Sequence, residues 1–106
     1  MPKYLVTATY TAEGAKGLIK DGGSKRRQAA EAALTSVGGR VEGFYFAFGD
    51  NDAYVIIDAP DNVTVAAASM AIGASGAVHT KTVVLLTPEE IDQAAKKQAT
   101  YTPPGR

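Results

Sequence analysis

An α+β fold in the order β-α-β-β-α-β is what this sequence predicts, and three observations carry the expectation. Four runs rich in β-branched and aromatic residues, Tyr4–Tyr10, Arg40–Phe48, Ala53–Ala59 and Val78–Leu86, have strand composition. Two of them, Arg40–Phe48 and Ala53–Ala59, flank a short polar break at Gly49-Asp50-Asn51-Asp52, as the arms of a β-hairpin do. Apolar residues at helical spacing fill the gaps before and after that hairpin. This order is the ferredoxin-like arrangement, a four-stranded antiparallel sheet with two helices on one face. A short extra helix near residues 12–20 and a C-terminal helix are expected in addition. With 106 residues there is room for one core. A single domain over residues 1–99 is expected, with an extended tail over residues 100–106.

The elements follow from local chemistry. After the first strand, Thr11 opens TAEGAKGLIKDGG, where Ala15, Leu18 and Ile19 are spaced as on a helix. Gly14 and Gly17 weaken that helix by about 1 kcal/mol each relative to Ala. Ser24 is the expected N-cap of the first main helix, SKRRQAAEAALTSVGG. Its stripe is Ala30, Leu34 and Val37, widened by Ala33, and Gly38-Gly39 ends it. Lys25, Arg26 and Arg27 in its first turn oppose the helix dipole and call for solvent screening or an acidic partner. Asp61 or Asn62 caps the second main helix, with Val65, Ser69 and Ile72 on one face and Ala66, Met70 and Gly73 beside it. Thr87-Pro88-Glu89-Glu90 forms a capping box at the start of a final helix running to about Ala99.

Composition excludes several classes. Eleven basic and eleven acidic residues cancel, so no global field draws nucleic acid or anionic lipid. No cysteine is present, which removes disulfides, thiolate catalysis and Cys-based metal sites. No apolar run approaches a membrane span, and Met1-Pro2-Lys3 leads into a strand rather than a signal peptide. A cytoplasmic protein is expected.

Strand alternation bears on association. Tyr4, Val6, Ala8 and Tyr10 oppose Leu5, Thr7 and Thr9; Phe44, Phe46 and Phe48 oppose Val41, Tyr45 and Ala47. Ala53, Val55 and Ile57 oppose Tyr54, Ile56 and Asp58, and Val83 and Leu85 oppose Val84 and Leu86. Neither face is polar throughout, although a one-sided sheet should alternate. A homo-oligomer packing sheet on sheet would cover the second face. The rival is that residues 12–23 and 87–106 fold over it within one chain.

The stretches TAEGAKGL (Thr11–Leu18), GGSKRR (Gly22–Arg27), Gly38–Asn62 and ASGAVHTKTVVLLTPEE (Ala74–Glu90) resemble the GYD-domain family of small bacterial and archaeal proteins. The resemblance implies a dimeric ferredoxin-like α+β barrel. The family's signature falls at the hairpin turn, which stands here as Gly49-Asp50-Asn51-Asp52, with Asn51 in place of tyrosine. Folds of this type host cofactor-free oxygenases, haem-handling proteins, dismutases and effector-binding regulators.

Four sets of residues are candidates for chemistry. Gly23, Ser24, Lys25, Arg26 and Arg27 offer helix-start amides and cations to an anion or partner, or else form a solvated basic surface. Asp50 and Asp52 offer hard oxygens to a cation, or else serve turn chemistry, with left-handed backbone and bonds to their own main chain; no metal site is assigned. His79 is the one histidine, a general base or haem ligand, or else a half-buried strand residue sharing a face with Lys81. Tyr4, Tyr10, Tyr45 and Tyr54 line a pocket or pack the core. The first reading is an oligomeric domain that binds a small ligand or partner without catalysis. The alternative is a cofactor-free or haem-assisted oxidoreductase using His79, Tyr54, Asp52 and Tyr10. A weaker one is nucleic-acid contact through Lys25–Arg27. No cofactor is named by the residues themselves.

Overall fold

A computed structural model describes residues 1–106. The order is β1 (Lys3–Tyr10), α1 (Ala12–Asp21), α2 (Gly23–Ser36), β2 (Arg40–Phe46), β3 (Ala53–Asp58), α3 (Asn62–Ala74), β4 (Val78–Leu85) and α4 (Pro88–Lys96). The four strands make one antiparallel sheet in the spatial order β2-β3-β1-β4. That is the ferredoxin-like order expected from the sequence.

Alternation assigns the faces. Tyr4 pairs with Ile57 and Val84, Val6 with Val55 and Thr82, Ala8 with Ala53 and Thr80, and all of these point toward α2 and α3. The core forms there, around Tyr4, Leu34, Val55, Ile57, Ala59 and Val65. The Tyr4 hydroxyl donates to Asn62 Oδ1 at 2.7 Å, so the phenol is both core packing and a satisfied donor. Val41 departs from the expected alternation. A bulge between Val41 and Gly43 shifts the register by one residue and turns Val41 to the core side, away from Tyr45.

Local corrections have local causes. α2 begins at Gly23, and its N-cap is Gly22 (φ 81°), not Ser24, which is exposed. Gly22 also ends α1, so one residue serves both helices. Gly14 is compatible with α1 because a Cβ there would overlap the Ala77 carbonyl; the glycine is what lets the helix approach β4. On α3 the buried residues are Val65 and Ala68, with Ser69 and Ile72 half-buried, while Met70, Ala66 and Gly73 are exposed. The stripe is therefore 65, 68, 69, 72, and small Ala68 was passed over because its neighbours are also alanines. β2 stops at Phe46; Phe48 lies outside the sheet, fully exposed. α4 stops at Lys96. The Thr87 capping box forms as expected: the Thr87 hydroxyl accepts from the Glu90 amide at 3.1 Å and Glu90 accepts from the Thr87 amide at 2.9 Å.

The second sheet face stays open. Every residue of α4 is exposed, and α1 packs on α2 and β1 at one end. The intrachain cover over residues 12–23 and 87–106 is thus not formed. Tyr45 and Val83 remain 68% and 52% exposed.

Candidate functional site

Small residues leave a gap in the core. α2 lines it with Ala29, Ala30 and Ala33, and α3 with Ala68 and Ser69. Neither helix fills the space over Val6, Phe44 and Val55, and a cavity of ≈ 310 Å³ remains between the helices and the sheet. The gap is open to solvent rather than a sealed void. Four polar residues line it, Arg26, Ser69, Ser75 and Thr80; the other lining residues are hydrophobic. The Ser75 hydroxyl is already engaged, donating to the Ile72 carbonyl at 2.7 Å and accepting from the Ala77 amide at 3.2 Å.

The basic turn of α2 divides by direction. Lys25 and Arg27 are exposed, and Arg27 Nε donates to Glu31 at 3.0 Å, one helical turn on. Arg26 instead turns inward to the cavity. Its Nε is buried and has no hydrogen-bond partner, alone among the side-chain polar atoms of the chain. Gly23 lies under the Phe46 ring, and Ser24 makes no capping bond. The five residues are therefore not brought together around one point. The position of Arg26 has a sequence signal: it precedes Ala30 and Leu34 by one and two turns, on the apolar stripe itself.

The hairpin turn is held by ordinary bonds. The connection runs from Ala47 to Asp52, longer than a tight turn. Asp52 accepts from the Tyr10 amide at 2.8 Å, its own amide donates to the Ala8 carbonyl at 2.8 Å, and its carbonyl accepts from Ala47 at 2.9 Å. Asn51 Nδ2 donates to the Tyr54 hydroxyl at 3.3 Å. Asp50 is exposed, and neither Gly49 nor any non-glycine residue has positive φ. The expected left-handed backbone is absent; Asp52 works by bonding the end of β1 rather than its own turn. No group of three or more His, Asp or Glu side chains is placed to share a metal ion.

The catalytic candidates do not converge. His79 is exposed and pairs with Thr9 on the open face, while Tyr54 pairs with Thr7 on that same face. The Tyr10 side chain lines the cavity on the opposite, helix-covered face, and the Asp52 carboxylate is taken up by the Tyr10 amide.

One polar cluster escaped sequence reasoning. Asp58 is 3% exposed and accepts from Lys3 Nζ and Arg40 Nε, both at 2.8 Å; Lys3 also donates to Glu42 at 2.8 Å. The bond from Lys3 holds the Asp58 carboxyl below the usual carboxylate range, opposed by burial and reinforced by Arg40. Asp58 in turn, followed by Glu42, raises the Lys3 ammonium. An aspartate inside the apolar run AYVIID, with cations at the starts of two other strands, was the available signal.

No helix is long and apolar enough to cross a membrane. A family model described as GYD domain matches residues 4–95. No curated protein matches the chain.

Proposed function

The chain belongs to the GYD-domain family, and on that footing we propose that it is a homo-oligomeric domain that binds a small ligand without catalysis. The observation that carries the ligand reading is the ≈ 310 Å³ cavity, apolar but for a few polar groups. Small-molecule sites have this size and lining, with few polar groups fixing orientation. An enzymatic reading lacks support, because His79 and Tyr54 stand on one sheet face and Tyr10 on the other. Contact with nucleic acid through Lys25–Arg27 is weakened in the same way, since Arg26 faces inward and Arg27 is paired with Glu31.

Surface area supports association. The accessible surface is 7514 Å² for an 11.0 kDa chain, against about 5,600 Å² expected of a compact monomer of that mass. The surplus exceeds the roughly 800 Å² per partner of a standard interface. A second copy packed on the open face, over Leu5, Tyr45, Tyr54, Ile56 and Val83, would absorb part of it. The absence of cysteine suits a reducing, cytoplasmic setting.

Native mass spectrometry of freshly purified protein tests both halves. The expected spectrum is a dimer or larger species that carries a small-molecule adduct lost on denaturation. Light scattering that gives a monomer at micromolar concentration would remove the oligomer.

A further inference from the structure

We infer that the cavity takes a small monocarboxylate with an apolar body, its carboxylate bonded to Arg26. The inference rests on the ligand-binding reading above and adds the chemical class of the ligand.

Three observations lead to a carboxylate. First, Arg26 is the one charged side chain in the cavity wall, and no carboxylate of the chain lines that wall. Second, its Nε–H is buried without an acceptor, and a buried donor left unpaired costs free energy until an acceptor meets it. Third, the basic residues on either side behave differently, with Lys25 in solvent and Arg27 bonded to Glu31. The inward turn is thus particular to Arg26 and not a property of a basic helix surface.

Charge balance selects among anions. A guanidinium meets carboxylate or phosphate oxygens through a planar pair of N–H donors. A phosphate monoester brings about −1.5 to −2 charge at neutral pH, which one Arg cannot neutralise against walls of alanine, valine and phenylalanine. A carboxylate brings one charge and leaves none over. Size sets the rest. At about 30 Å³ per water molecule, the ≈ 310 Å³ cavity holds a body of roughly ten non-hydrogen atoms. Phe44, Val55 and Ile72 supply the apolar contact, and Tyr10, Ser69 and Thr80 add hydroxyls to the lining.

Octanoate and phenylacetate fit those limits, and octan-1-ol and inorganic phosphate are the controls. Calorimetric titration of the full-length protein is expected to show octanoate binding at least tenfold tighter than octan-1-ol, with no heat from phosphate. Arg26→Met, which keeps the apolar stem, is expected to bring octanoate down to the octan-1-ol affinity, while Lys25→Met leaves it unchanged. Equal affinity of wild type for octanoate and octan-1-ol overturns the carboxylate assignment and leaves the apolar ligand site standing. Binding of neither overturns the ligand reading itself. A second measurement avoids dependence on the Arg26→Met variant folding. In wild-type protein the ¹H–¹⁵N signal of the Arg26 Nε–H should shift on addition of octanoate and stay in place with octan-1-ol. An unmoved signal at saturating octanoate overturns the assignment.

Discussion

Asp58 and Gly14 hold the chain together in opposite ways, one by charge and one by the lack of a side chain. Asp58 sits nearly buried between Lys3 and Arg40, so its carboxylate is satisfied only while both cations reach it. Hydrogen bonds to charged groups contribute about 1.5–3 kcal/mol. Asp58→Asn should cost about that much in urea unfolding, because one anionic acceptor for two cations is replaced by a neutral amide. The effect depends on pH with a definite sign. The folded-state value of Asp58 is lowered, so its stabilisation is complete above the unfolded-state value of about 3.9 and is lost as pH falls through the folded-state value. Asp61, lowered by the Thr64 amide at the start of α3, acts in the same direction. Wild type should lose stability below about pH 4, and Asp58→Asn should lose less over that range. Equal acid slopes in the two proteins would place the acid loss elsewhere. Gly14→Ala should destabilise by about 1–3 kcal/mol, the range for overpacking, because the added methyl meets backbone at Ala77 rather than a side chain that can rotate. Gly17→Ala, which meets nothing, is the control and should be neutral or stabilising.

Among the elements, α4 is set apart by having strong local chemistry and little tertiary contact. Its capping box is complete, Pro88 occupies its first turn and Glu89 and Glu90 suit its dipole. None of its residues is buried. Thr87→Ala should therefore reduce helicity at residues 88–96, read as amide chemical shifts, with the thermal midpoint of the sheet unmoved. A lowered midpoint would mean that α4 is coupled to the core. The same contrast explains what was legible in the sequence. Thr87-Pro88-Glu89-Glu90 is self-contained, so it could be read residue by residue. The four strands and their antiparallel order followed from composition and alternation. Ser24 was misassigned because a good capping residue competes with a glycine whose role depends on the preceding helix. Ala68 was left off the α3 stripe because an alanine-rich helix has too little contrast to show which side is buried. The role of Asp58 and the inward direction of Arg26, which the sequence names only as one of five basic-turn residues, were missed for a related reason. Each takes its meaning from what lies across the fold, and pairing between strands or facing of helices is not written in any local window.

At the scale of the whole molecule the chain combines an open sheet face with an extended outline. The radius of gyration is 16.9 Å, against about 13 Å for a compact chain of this length, and the longest extent is 57 Å. Val83, Leu5 and Ile56 form one cross-strand row on the open face. Val83→Asp places a charge in the middle of that row and should convert the proposed oligomer to monomer in light scattering, with far-ultraviolet circular dichroism unchanged. An unchanged oligomer would move the interface off this face.

Gly22 has a mechanical consequence. α1 ends and α2 begins at this one residue, so the two helices form a bent lever with a joint one residue long. Leu18 and Ala15 ride on the short arm, beside Phe46 and Tyr10, and Arg26 sits one turn along the long arm. The shallow hollow at the hairpin and the cavity under α2 therefore lie on either side of one joint, and a rotation at Gly22 would reshape the first by moving α1 without requiring α2, and Arg26 with it, to leave the sheet.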